Sequence, residues 1–499
     1  MTESRHSEEM LGLEHSYQRL PNHLYSRLPP ESVRRPQLLL LNETLAHALG
    51  WEVGRLRQHG AGWFSGNCLP ADASPLALAY AGDQFGQFVP QLGDGRALML
   101  GEVIDRRGVR QDVQLKGSGR TPYARRGDGR ACLGPVLREY LLAEAMHALG
   151  VPTTRALAVV ATGEPVFRER PMPGAILTRV AASHVRVGSI QYCAARQDWA
   201  GVRAWVGYTL RRHYPEQQEA ASPTLALLQA VAERQAQLIA RWLQVGFIHG
   251  VMNTDNMALS GQTIDYGPCA FMDRYDPATV FSSIDHWGRY AYGQQPAMAA
   301  WNLMRLAEAL LPVLEEERAA EGRAGAAAVL AAFPERLQIH WLAGMRQKLG
   351  LQQPEEGDNR QIEALLQIMY DGRADYTLTF RLLAAPLQEG ERGVAQWCSG
   401  FDNAEAAQQW LQGWLARIRR EGGSDPQRIE AMNQVNPLYI PRNDRVEKAL
   451  AAVLEEGNWQ PYRQLYQVLQ NPFQEQAGMQ TYSAPPPPSW GDYQTFCGT

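Results

Sequence analysis

The chain is poor in cysteine, has no excess of either charge and carries no long apolar run. Its six cysteines among 499 residues (Cys68, Cys132, Cys193, Cys269, Cys398 and Cys497) show no zinc-ligand spacing, and a chain of this size needs no disulfide framework. That combination predicts a reducing compartment. The 48 basic and 52 acidic residues leave a net charge of −4, so no overall field draws the chain to nucleic acid or to an anionic membrane. Anion binding has to be local. Residues 1–20 mix Glu, His, Arg and Ser without an apolar centre, and no run approaches the roughly 18 apolar residues of a membrane span. The expectation is a cytoplasmic protein without nucleic-acid or membrane partners.

With 45% of its residues hydrophobic, the chain can bury more than one core, and about 150 residues per domain suggests two or three units. Residues 1–80 read as a lead-in, with a helical-looking stretch from Pro36 to Gly50. The pattern then turns to strands: a glycine-rich turn at 92–96, a strand at Ala97–Val103, a hairpin signal at 106–108 and a strand at Asp112–Lys116. Pro135 opens a helix that runs to about Leu149, with Gly150 as its stop. Strands at Ala156–Ala161 and Ala175–Val180 complete a β-rich unit, 81–197. From about Asp198 the periodicity is helical, over Leu225–Val245, Pro296–Glu317 and Pro334–Leu349, which predicts a larger helical unit, 198–475. Much of it, 285–470, is either core or an added extension. Residues 476–499, with prolines at 485–488, read as an extended tail. The predicted class is α+β, a small β-rich lobe followed by a large helical lobe.

Four stretches carry what a nucleotide transferase needs: counter-charge for a triphosphate, hard oxygen ligands for a cation, and a base near the attacking oxygen. Gly93 and Gly95, followed by Arg96, let backbone N–H groups approach phosphate, although a G-x-G is also an ordinary hairpin turn. Lys116 ends the next strand, and Glu139 on the following helix is a candidate ion-pair partner, with Glu144 as its rival. Between them, 117–130 reads GSGRTPYARRGDGR: four arginines in fourteen residues repel one another unless an anion sits among them. Arg179 and Arg186 add two guanidiniums. The most specific signal is HGVMNTDN at 249–256, followed by IDYG at 264–267. It resembles the catalytic and metal-binding loops of kinase-like phosphotransferases, with Val251 where their catalytic aspartate stands. Asp255 is the carboxylate left in that loop to act as base, and Asn256 and Asp265 offer oxygen ligands suited to Mg²⁺ or Mn²⁺.

These blocks, with the near-terminal Cys497, resemble the selenoprotein O family of pseudokinases, protein adenylyltransferases, from about Gln84 onward. The resemblance implies a protein-kinase-like bilobal fold that binds ATP in a flipped orientation and transfers AMP to Ser, Thr or Tyr hydroxyls of proteins, with UMP transfer from UTP as a further activity. It implies that Gly93, Gly95, Arg96, Lys116, Asp128, Gly129, Arg179, Arg186 and Asp265 contact the nucleotide. It also implies Glu139 as partner of Lys116, Asp255 as proton acceptor, and Asn256 and Asp265 as metal ligands. A regulatory disulfide from Cys497 is implied as well; Cys269 is the one cysteine close behind Asp265, and an inert tail cysteine is the alternative. Two other readings stand beside transfer: a conventional kinase, which Val251 disfavours, and an inactive ATP-binding scaffold, which the metal ligands and Asp255 disfavour.

Overall fold

Apolar residues at 97–104 and 110–116 build the centre of an eight-stranded antiparallel sheet. A computed structural model describes residues 8–491 and 493–496. Strands β1 (Tyr25–Arg27), β2 (Gln37–Leu41) and β3 (Leu76–Leu78) come from the first 80 residues, so that segment is part of the sheet. A separate hairpin, β4 (Gly82–Gln84) and β5 (Gln87–Val89), leads to β6 (Ala97–Ile104) and β7 (Arg110–Lys116). The short β8 (Ala131–Cys132) and the long pair β9 (Arg155–Phe167) and β10 (Pro171–Ala181) follow. The order is β1-β3-β6-β7-β10-β9-β2, with β8 also pairing β10.

Both faces of the sheet are covered. One buries Leu100, Val113, Leu115 and Ile176 against α1 (Glu43–Ala48) and α2 (Val53–Ser65), which contributes Trp63 and Phe64. The other packs Val159 and Leu177 on α3 (Leu133–Ala148). Behind α3 lie the helices Asn443–Glu456 and Gln460–Leu469, with Tyr462 donating its hydroxyl to the Leu137 carbonyl at 2.8 Å. Each fully buried side chain of this kind contributes about 2 kcal/mol relative to exposure.

Pro36–Gly50 is not one helix. Leu38–Leu41 lies in β2 against β9, and α1 starts only after Asn42, whose side chain caps it by accepting from Leu45 N–H. A four-residue apolar run has no periodicity to separate strand from helix, and the neighbouring strand decides it. The helical part begins with α4 (Val187–Ala194), which no sequence signal marked, and continues through α5 (Trp199–His213) and α6 (Pro223–Val245). The two helices expected at 296–317 and 334–349 form one helical run, α7 (Gln295–Lys348). It bends sharply. A Cβ on Gly322 would sit 2.5 Å from the Leu314 carbonyl, and Arg323 pairs with Glu315, although a straight helix separates such residues by about 12 Å. The Ala-rich stretch 324–332 keeps its second arm helical well before Pro334.

Tyr292–Arg318 corrects the expectation that no stretch approaches a membrane span: an 18-residue window within it passes by length and composition alone, with mean hydropathy 1.2, and half of that window is buried within the fold. The tail is extended only in part, since 476–499 holds a short helix at Gln480–Ser483 and a 3₁₀ turn at Pro488–Trp490, and its end is docked. Thr495 N–H donates to the Phe281 carbonyl at 2.7 Å, and the Thr495 hydroxyl to the Pro268 carbonyl at 2.7 Å.

Candidate active site

The glycine turn before β6 and the arginine-rich loop after β7 face each other across a cavity of about 640 Å³, within the roughly 300–1,000 Å³ usual for small-molecule sites. The glycines permit this closeness. Gly93 has φ +128°, and a Cβ there would overlap the Tyr123 ring; Gly129, at φ +71°, lies against the Gly119 backbone. Thr121 ties the two walls by donating its hydroxyl to the Asp94 carbonyl at 2.7 Å.

Strand register sets the charges. Lys116 lies opposite Leu177, and Arg179 opposite Gln114, so alternation puts both cations on the face that α3 covers. α3 brings Glu139 between them: Lys116 Nζ donates to Glu139 Oε2 at 2.6 Å, and Arg179 Nε to Glu139 Oε1. Glu144, the rival, is engaged by Arg155 and Asn42. Asp265 Oδ1 accepts from Lys116 Nζ and from Arg179 Nη2, both at 3.3 Å. Burial alone would raise the Asp265 carboxyl, but Lys116, Arg179 and Arg96 outweigh it and hold the group ionised, well below the usual carboxylate range. The same burial pushes the Lys116 ammonium down, with Arg179 adding to it. Asp265 also takes φ +68°, a strained backbone for a non-glycine residue.

The 249–256 loop is fastened from behind. His249 Nε2 lies 2.9 Å from the Ile264 carbonyl, and its Nδ1 accepts from Val251 N–H at 3.3 Å. Burial lowers the His249 pKa, so the neutral ring staples this loop to the one that carries Asp265. Arg186 Nη1 donates to the Asp255 carbonyl at 2.9 Å, while its guanidinium stacks 4.4 Å from the Tyr80 ring centre. The Asp255 carboxyl packs on Gly82, where a Cβ would overlap it. Its Oδ2 accepts from Gln84 Nε2 at 3.4 Å, its Oδ1 is buried without a partner, and burial pushes its pKa up to about 6. Asn256 donates its amide to the Val251 carbonyl at 3.1 Å.

No three His, Cys, Asp or Glu side chains converge as a metal nest among the described residues. Mg²⁺ in nucleotide sites takes few protein oxygens and completes its shell with phosphate and water. An ionised Asp265 and the amide oxygen of Asn256 fit that demand, and the unpartnered Asp255 Oδ1 adds an orphaned oxygen in the same loop.

A family model described as protein adenylyltransferase SelO matches residues 9–470. The chain is 55% identical over 489 residues to the protein nucleotidyltransferase YdiU of Rhizobium etli (strain CIAT 652), covering 98% of this chain and 97% of the relative. It is 54% identical to the YdiU of Rhizobium meliloti (strain 1021), over 97% of this chain and 99% of that one. The YdiU of Methylorubrum extorquens (strain PA1) is 53% identical over 98% and 99%. The chain belongs to the SelO family.

The SelO match begins at residue 9, well before the Gln84 from which the resemblance was expected to run. All nine residues expected at the nucleotide line the one cavity. Asp128 does so with its carboxylate already held by Arg168, at 2.7 and 3.1 Å, so it props the loop. Glu139 stands behind the lining, and Asp255 and Asn256 lie outside it. Cys269 is fully buried, with its thiol pushed up to about 12 by burial, and Cys497 lies outside the described residues. Sequence reasoning missed Tyr80, Asp94, Tyr123, Arg168 and Gln84. Asp94 and Tyr123 lay within the glycine turn and the arginine-rich loop already singled out, and Arg168 lay in the charged turn at 168–170 that brings it over Asp128.

Proposed function

We propose that this SelO-family chain transfers AMP from ATP to hydroxyl groups of proteins, releasing pyrophosphate, with UTP as an alternative donor of UMP. The observation that carries the reading is the charge of the cavity: eight Arg or Lys side chains line it against three carboxylates, an excess suited to a triphosphate. The sheet with its Lys116–Glu139 pair, followed by helices that carry the two loops, supports a kinase-like bilobal reading of the fold. A cytoplasmic setting belongs to the same proposal.

In this mechanism Arg96, Lys116, Arg179 and Arg186 hold the phosphates, and Glu139 keeps Lys116 in place. Asn256 and Asp265 would hold Mg²⁺ or Mn²⁺, which when bound would neutralise phosphate charge. The acceptor oxygen attacks the α-phosphorus, its proton passes to Asp255, and the bond to pyrophosphate breaks while the arginines take up the developing charge. A pKa near 6 leaves Asp255 ionised at neutral pH yet basic enough to accept that proton.

The test is a pair of incubations with ATP labelled at the α- or the γ-phosphate, using wild type and Asp265→Ala. Label on protein from the α-position alone, lost in the variant, is expected. Label from the γ-position would make the chain a kinase, and no label from either would leave an ATP-binding scaffold.

A further inference from the structure

The loop that carries Asp255 also anchors a feature the phosphates do not use. Asn253 Oδ1 accepts from Phe85 N–H at 3.1 Å and from the Tyr290 hydroxyl at 2.6 Å. Phe85 belongs to the turn between β4 and β5, and Tyr290 ends the segment 282–290. The two rings meet nearly edge to face, 5.2 Å between centres, and the Arg289 guanidinium lies against Gly86. Asp285 accepts from Arg289 and Tyr290 N–H at 2.9 and 2.8 Å, so the second segment is braced. One side chain, Asn253, therefore ties two lips to the candidate base.

These lips leave large apolar side chains uncovered: Phe88 is 45% exposed, Ile284 51% and Trp287 95%. Phe496, 74% exposed, follows Thr495, which pairs with Ser282 and brings the tail alongside. The outer edge of β5 has no partner strand among the described residues, so its backbone can pair with an extended segment. Clustered exposed apolar groups mark interaction surfaces, and tryptophan is among the residue types enriched at their anchoring points.

We propose that the two lips form the docking surface for the acceptor protein, and that Trp287 contacts an aromatic or large aliphatic side chain flanking the modified hydroxyl. The inference rests on the transfer reading above, because that chemistry requires a macromolecule at the Asp255 loop, and this is the uncovered apolar surface braced on that loop. A second copy of this chain is the rival occupant.

The test uses α-labelled ATP and degenerate peptide libraries, each with one central Ser, Thr or Tyr, against wild type, Trp287→Ala and the double variant Phe88→Ala/Trp287→Ala. Wild type should select aromatic or large aliphatic residues beside the hydroxyl. Trp287→Ala should lower kcat/KM on the selected peptides at least tenfold and flatten the selection, with ATP Kd by calorimetry within twofold of wild type. The double variant should lose more. Selection unchanged in both variants overturns the proposal, as does a Trp287-dependent dimer in sedimentation with peptide transfer intact. If wild type labels nothing from the α-position while still binding ATP, the transfer reading itself fails and the docking proposal falls with it.

Discussion

Burial pushes the Asp255 carboxyl up to about 6, and this ties both rate and stability to pH. As base the group must be ionised, so kcat/KM should rise about tenfold per pH unit below 6 and level off above it, a profile that Asp255→Asn should abolish along with at least a hundredfold of rate. The stability sign runs the other way. A folded pKa above the unfolded value means that the folded state loses stability as pH rises from about 4 to 6. The melting temperature of Asp255→Asn should therefore pull ahead of wild type across that window and keep a constant lead above it; a lead independent of pH would show the carboxyl is not desolvated. Lys116, Glu139 and Arg179 make a second residue-scale case. Glu139→Gln leaves two buried cations facing each other with Asp265 as their remaining counter-ion, and should cost about 3 kcal/mol in urea unfolding. Added inorganic phosphate should restore more of that loss in the variant than it adds to wild type, because an anion can replace the missing carboxylate. The pairing of Lys116 with Glu139 was legible because charge is costly to bury unpaired, so a Lys at a strand end, a Glu on the next helix and an Asp-Tyr-Gly turn constrain one another. Tyr80 and Gln84 were not legible, because their positions come from chain segments that meet only in the folded protein.

Elements were readable where local signals agree with packing. The β6–β7 hairpin has glycine before it, a turn at 106–108 and apolar strands, and it forms within a few residues of expectation. β2 and α7 departed from expectation for one reason: a short leucine run, or an alanine-rich stretch between prolines, acquires its state from what it packs on. At the site the informative element is the pair of loops held together by glycine. Gly93→Ala and Gly129→Ala each place a Cβ where Tyr123 or the Gly119 backbone already sits, at backbone angles that disfavour alanine. Both substitutions should raise the KM for ATP at least tenfold while leaving far-ultraviolet circular dichroism unchanged. Gly108→Ala supplies the control, since its φ is also positive but its Cβ would meet nothing within 4 Å; it should leave the KM near wild type.

At the scale of the whole molecule, the end of the chain supports the beginning of the site. The helices Asn443–Glu456 and Gln460–Leu469 stack behind α3, the helix that delivers Glu139, and Arg138 on α3 reaches Glu447 at 2.9 Å and the Cys269 carbonyl at 2.8 Å. No local sequence signal foretold this return, since contacts separated by some 325 residues leave no periodicity to read. It has a consequence that separates general destabilisation from site support. Leu465→Ala opens a cavity directly behind α3, whereas Leu411→Ala opens one in the helical core around Trp414. Both are buried leucines and should cost a similar 2–5 kcal/mol, about 3 in each case. If α3 is held in register by the C-terminal helices, only Leu465→Ala should weaken ATP binding at a temperature where both variants stay folded, by an expected three- to tenfold in Kd. Equal ATP affinity in the two variants would mean that α3 keeps Glu139 on Lys116 without help from behind.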